Sequence, residues 1–160
     1  MKSSKIFLIL LLPLTLCAQS RDKVEIMAVV NQVFEAMRTN DSTMLKGAFT
    51  EKPSTYTVFR NKKGVTQFRG NDFQDFVNAV GKPKEDVWNE PIWNEKVEID
   101  GSLASVWVDY AFYLNNDFSH CGVDAFHLVK LEGGWQIFHL VDTRRRADCD
   151  IPKEVSSQFE

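Results

Sequence analysis

The sequence predicts an α+β fold in which a curved antiparallel sheet wraps around N-terminal helices. Three observations carry that prediction. Ser102 to Arg146 reads as three long antiparallel strands, joined by tight turns at Asn115-Asn116-Asp117 and Glu132-Gly133-Gly134. Both turns are rich in residues that tolerate positive φ, and the flanking runs are rich in Val, Tyr, Phe and Trp. Upstream, Ile26, Val29, Val30, Val33, Phe34 and Met37 recur at the spacing of one buried helical face. The order is three helices with an early hairpin, then a four-stranded antiparallel run, which gathers the helices on one face of a sheet.

The first twenty residues stand apart from this pattern. Met1-Lys2-Ser3-Ser4-Lys5 is a short basic region, and Ile6 to Leu16 is apolar except for Pro13 and Thr15. Cys17-Ala18-Gln19-Ser20 follows as a cleavage region, so residues 1–20 are expected to be a secretory signal peptide, too short for a spanning helix. Leu16 precedes Cys17 where a lipid-modified cysteine normally follows a small residue, which disfavours a lipoprotein anchor. The expected localisation is therefore exported, periplasmic or secreted, with no membrane association beyond the leader. One domain is expected over residues 21–149, and a loose tail over 150–160, because few apolar residues follow Arg146. Loss of the leader removes two lysines and leaves 17 basic against 22 acidic residues. A mildly acidic exported domain argues against nucleic acid as a partner.

Within the domain, Asp22 with Glu25 reads as a capping pair opening the first helix, and Asn40-Asp41-Ser42 ends it and caps a shorter one, Thr43 to Phe49. The region around Pro53 reads as a loop. Tyr56–Arg60 and Gly64–Arg69 form a hairpin, Asn71 with Gln74 caps a helix carrying Phe73, Phe76, Val77 and Val80, and a strand runs from Ile92 to Ile99.

A register centred on Asn116-Asp117 pairs Tyr113 with His120, Asp109 with Asp124, and Trp107 with Phe126. The second turn then sets Leu128 opposite Phe138, Phe126 opposite Leu140 and Asp124 opposite Asp142. On this reading Trp107, Asp109, Tyr113, His120, Asp124, Phe126, Asp142 and Arg144 share one face, with Val106, Val108, Tyr110, His127, His139 and Val141 on the other. Asp109, Asp124 and Asp142 abreast repel, so the row needs a cation, a shared proton or water. Arg144 and His120 are the nearest balancing groups. A one-residue error in either turn would scatter the aspartates.

The run His120-Cys121-Gly122, Asp124, Phe126, Leu128 and the run Gly134-Trp135, Ile137, Asp142-Thr143-Arg144-Arg145 resemble the nuclear transport factor 2-like superfamily. The resemblance spans about Asp22 to Cys149 and is nearest to exported bacterial members of unassigned function. It implies a cone-shaped fold, a deep pocket between concave sheet and helices, and frequently a homodimer through the outer sheet face. Members include isomerases, cyclases, dehydratases and binding domains, so the resemblance implies no single activity.

The expected function is binding of a small apolar or ring-bearing molecule. The ligand-binding candidates are Tyr56, Trp93, Trp107, Asp109, Tyr113, His120, Asp124, Phe126, Asp142 and Arg144. A cofactor-free lyase or isomerase is the alternative, with Asp109, Asp124 and His120 as catalytic candidates, since a carboxylate or imidazole in an apolar pocket titrates near working pH. A protein-interaction module is a third reading. His120 as a turn cap and Asp124 in a structural ion pair with Arg144 would serve none of these. No short His or Cys spacing supports a metal site, and no cofactor is implied. With Cys17 in the leader, Cys121 and Cys149 remain as candidates for a disulfide.

Overall fold

The computed structural model describes the backbone of residues 14–160, with side chains from Ser20 onward. The expected leader therefore lies outside the described residues except for its last few positions. Helix α1 spans Leu14–Thr39 and α2 spans Ser42–Ala48. Ile26, Val30, Val33, Ala36 and Met37 form the buried stripe of α1. Each such aliphatic side chain stabilises by about 1.5–3 kcal/mol on leaving water. Asp22 does not cap a helix start, because α1 runs straight through it. Its carboxylate instead accepts from Lys130 Nζ and from Trp135 Nε1, fastening the helix to the sheet. Asp41 caps α2, accepting from the amides of Thr43 at 2.9 Å and Met44 at 2.8 Å.

Strands β1 (Phe49–Arg60) and β2 (Thr66–Asn71) precede α3 (Phe73–Gly81), which is capped by Asp72 rather than Asn71. Pro53 lies inside β1, where the pairing with the last strand slips, and not in a loop. Then come β3 (Trp88–Asn89), β4 (Ile92–Asp100), β5 (Leu103–Leu114), β6 (Asp117–Leu131) and β7 (Gly134–Arg144). The sheet order is β2-β1-β7-β6-β5-β3, with β4 also on β5, and every pair is antiparallel except β1 with β7. The concave face packs on α1, α2 and α3 around Val106, Val108, Phe126, Leu128 and Ile137.

Two bulges correct the expected register. The first hairpin turns on Asn115-Asn116, Leu114 pairs with Asp117, and Tyr113 pairs with Phe118. Beyond that point Phe112 pairs with His120, so Ser119 is unopposed. One extra residue inverts the parity of β5 against β6. Val106, Val108 and Tyr110 thus join the Asp124 face, while Trp107, Asp109 and Tyr113 go to the outer face. In the second hairpin His127 pairs with His139 and Leu128 with Ile137, leaving Phe138 as the extra residue. Past it, Phe126 opposite Leu140 and Asp124 opposite Asp142 are as expected.

The C-terminal segment is not a loose tail. It carries α4 (Lys153–Ser156) and a 3₁₀ turn (Ser157–Phe159). Cys149 is bonded to Cys121, and Phe159 stacks on Tyr113 with centroids 4.0 Å apart. Ile151, Val155 and Phe159 fall four residues apart, so the few apolar residues share one side, which composition does not reveal.

Candidate functional site

A cavity of about 1740 Å³, open to solvent, lies between α1, the β1–β2 hairpin and the concave wall of the sheet. Val33, Phe34 and Met37 of α1, with Phe76, Phe126 and Leu140, supply its apolar lining. Polar groups enter from three places. Asp124 projects from the middle of β6 and is only 4% exposed. Asp142 and Arg144 come from β7, and Glu90 from the short connection between β3 and β4.

That connection is pinned on both sides of Glu90. Trp88 and Asn89 pair with Leu114 and Tyr113, and the Pro91 carbonyl accepts from the Ala111 amide at 3.2 Å. Trp88 packs edge-on against Phe112, and the Lys84 ammonium sits 3.7 Å over its indole. Glu90 thereby lines the cavity with Asp124, and each carboxyl acts on the other. Two carboxylates sharing one site repel when both are ionised, which raises the pKa of the pair. Burial, helped by the charge of Asp142, pushes Glu90 up to about 8, and burial with the charges of Glu90 and Asp142 raises Asp124 well above the ordinary carboxylate range.

Asp142 is held differently. Thr57 donates to its Oδ1 at 2.6 Å and Arg144 Nε donates to its Oδ2 at 2.6 Å. Asn71 Nδ2 in turn donates to Thr57 Oγ1 at 3.0 Å. Both oxygens are satisfied and the charge is balanced. The Tyr110 hydroxyl donates to the Thr143 carbonyl at 2.9 Å, and burial among the carboxyls raises its pKa strongly. His120 lines the cavity beside Phe112, its ring 5.1 Å from the phenyl. Burial, with Arg144 nearby, brings His120 down to about 4, so it is neutral at pH 7 and does not balance the acids as expected.

The structure therefore brings His120, Asp124, Phe126, Asp142 and Arg144 together in the cavity. Trp107, half exposed, lies on the outer face, and so does Asp109, whose Oδ2 accepts from Asn94 Nδ2 at 2.7 Å. Trp93 and Tyr113 pack around Cys121 and the C-terminal segment. Tyr56 borders the cavity through β1, but its ring stacks on Phe68 at 4.8 Å and lies 5.9 Å from His139. The expected aspartate row thus loses Asp109 and gains Glu90. The signal for Glu90 was an acid beside a proline between two tryptophans, Trp88 and Trp93. Thr57 and Tyr110 carried no comparable signal. Among the described residues no three His, Cys, Asp or Glu side chains assemble as a metal site, and no helix is long and apolar enough to cross a membrane.

Asp124→Asn is expected to raise stability at pH 8 and to raise it much less at pH 5. A carboxyl pair with raised folded-state pKa values binds more protons folded than unfolded. Its stabilising contribution is complete below about pH 4, the unfolded value, and is lost as pH rises toward about 8. Thermal melts of both proteins across that range check the sign.

A large cavity enclosed by a curved sheet and N-terminal helices is the architecture of the nuclear transport factor 2-like proteins, and solved structures agree. A protein of unknown function from Mycobacterium tuberculosis is 16% identical with a TM-score of 0.66, covering 91% of this chain and 85% of its own. A nuclear transport factor 2-like protein of unknown function from Shewanella baltica is 18% identical with a TM-score of 0.61, covering 80% and 97%. A protein from Streptomyces avermitilis, described as a "putative dehydratase" of that family, is 12% identical with a TM-score of 0.62, covering 81% and 99%. At these identities the likeness establishes the fold. The sequence profile of the family described as "Putative lumazine-binding" matches residues 21–141, and the chain belongs to that family, within the nuclear transport factor 2-like superfamily. No curated protein matches the sequence.

Proposed function

We propose that this is an exported protein that binds a small, ring-bearing molecule in the concave cavity. The observation that carries the reading is the buried Asp124, with the half-buried Glu90, beside the apolar lining of Val33, Phe34, Met37, Phe126 and Leu140 in a cavity large enough for such a ligand. The family description points the same way. Export is supported by the basic-then-apolar leader and by the Cys121–Cys149 disulfide, a bond favoured in oxidising compartments. A homodimer through the outer face is supported by exposed Phe68, Trp107 and Phe138 around the paired His127 and His139, whose Nδ1 atoms are 2.9 Å apart.

Native mass spectrometry of the protein purified from a periplasm tests this directly. A small molecule that co-purifies and leaves on denaturation is expected, and the same spectrum reports whether the protein is dimeric. An empty cavity under all purification conditions would count against the binding reading.

A second reading, a cofactor-free lyase or isomerase, is favoured by one feature. A carboxyl pair whose pKa values are raised by burial suits general acid–base work. On that reading Asp124→Asn abolishes turnover of the co-purified molecule while leaving its affinity largely intact. On the binding reading it alters affinity alone.

A further inference from the structure

We propose that the end of the cavity beside the β1–β2 hairpin, where Arg69, Arg144 and Arg146 gather about Phe59, is an oxyanion subsite. The cavity then takes a ring-bearing molecule that ends in a carboxylate or phosphate. The inference rests on the binding reading above and names the chemical class of its ligand. Strand register puts the cations there. Thr57 pairs with Arg69 of β2 on one side and with Asp142 of β7 on the other, and Phe59 pairs with Arg144. Alternation keeps Thr57, Phe59, Arg69, Asn71, Asp142 and Arg144 on one face. The bonds from Asn71 to Thr57 and from Thr57 to Asp142 run across that face. The Arg69 guanidinium lies 5.2 Å over the Phe59 ring, so Arg69 and Arg144 flank Phe59 from neighbouring strands. Arg146, one residue beyond the Arg145–Cys121 bridge, lines the same cavity.

These cations keep donors to spare. Arg144 uses Nε on Asp142, and among the described residues its terminal N–H groups have no hydrogen-bond partner. Among the same residues no carboxylate forms an ion pair with Arg69 or Arg146. Arg60 and Lys62, at the hairpin tip, add positive charge to this end of the lining. The acids of the cavity are spent or set back. Asp142 is satisfied by Thr57 and Arg144. Asp124 pairs with Asp142, two residues or about 7 Å back from Arg144 along the strands. Burial raises the pKa of Asp124 and Glu90, which lessens their repulsion of an anion. Asp72 and Asp75 lie past Asn71, which pairs with Thr55, four residues or about 13 Å from Phe59 along β1. Asp148 is the acid next to Arg146 in the chain, and Arg145 Nε donates to its backbone carbonyl at 3.0 Å, leaving the carboxylate unpaired. Guanidinium forks match the geometry of carboxylate and phosphate oxygens. The apolar lining of Phe76, Phe126 and Leu140 receives the ring-bearing body.

The test is an amide-NMR titration with four probes that share one ring system: naphthylacetate, naphthyl phosphate, naphthylethanol and naphthylethylammonium. At least one anion is expected to bind about tenfold more tightly than the alcohol, shifting the amides of Phe59 and Arg144. The tighter of the two anions identifies the group that the subsite takes. Raising NaCl from about 20 to about 300 mM should weaken the anion and not the alcohol, because the arginines are screened. Arg69 and Arg146 are exposed, so Arg69→Gln with Arg146→Gln should fold as the parent does and bring the anion to within about threefold of the alcohol. Lys96→Gln removes one charge outside the cavity and should leave the preference as it is. Alcohol or ammonium binding as tightly as both anions would overturn the inference while leaving the binding reading intact. An anion preference that survives the double variant would overturn it too, as would an equal loss in Lys96→Gln or shifts confined to residues outside the cavity. No binding by any probe would also overturn it, and the binding reading would then stand or fall on the co-purified molecule.

Discussion

Gly122→Ala is expected to cost about 4 kcal/mol or more, the range reached when a substitution forces central strands apart. A Cβ at Gly122 would lie 1.7 Å from the Thr143 carbonyl oxygen and 2.8 Å from the Tyr110 ring. No rotamer relieves the first contact, because both atoms belong to backbone-fixed positions on neighbouring strands. The absence of a side chain at Gly122 lets Tyr110 lie across β6 and donate its hydroxyl to that same carbonyl. The Thr143 hydroxyl accepts from the Val123 amide at 3.0 Å, tying β6 to β7 beside this contact. Asp142 and Arg144 flank this point, so the close approach that Gly122 permits also sets the cavity's charged wall. Chemical denaturation should show a Gly122→Ala protein that is unfolded or far less stable. A melting temperature within about 2 °C of the parent would sink the argument. Adding Tyr110→Phe should not rescue it, because the carbonyl remains.

How far the sequence could be read is visible at this same place. The helical stripe of α1, the two hairpins and the α+β class follow from periodicity and turn composition, signals that span many residues. Site membership depended on parity, and parity depends on single residues. Ser119 is one extra residue in β6, and it moved Trp107, Asp109 and Tyr113 out of the site and brought Tyr110 in. Phe138 is the extra residue in β7, and it set Ile137 in place of Phe138 opposite Leu128. Asp124 and Asp142 kept their partnership because they lie beyond that second bulge. Neither bulge is marked by Gly or Pro, so local composition offered no warning. Glu90 was hidden for another reason. It belongs to a connection whose position is fixed by tertiary contacts of Trp88 and Pro91, which no local pattern encodes. The C-terminal clasp was legible in the spacing of Ile151, Val155 and Phe159, although not in composition.

Replacing Cys121 and Cys149 by Ser together is expected to lower stability by about 3–4 kcal/mol, close to 10 °C in melting temperature. The two cysteines are 28 residues apart in sequence, and cross-linking them restricts the unfolded chain by that loop's closure entropy. The folded state loses something as well. Cys121 sits in a fully buried cluster with Ala111 and Tyr113, against which Trp93, Ile151 and Phe159 pack. Without the bond, a short helix and one 3₁₀ turn must hold the segment by a few apolar contacts, and helices this short are marginal alone. Reduction of the parent protein should reproduce the shift, while the Ser variant should not respond to reductant. An unchanged melting temperature would mean that the clasp is held by packing and the bond is incidental. The cavity gives an independent readout. Cys121 also pairs through its backbone with Arg145, with both N···O distances 2.9 Å. Loosening that bridge frees the end of β7 just beyond Arg144, whereas Glu90 and Asp124 are anchored elsewhere. The double variant should therefore keep the pH signature of the carboxyl pair while losing order at the cavity mouth, which separates a stabilising clasp from a part of the binding site itself.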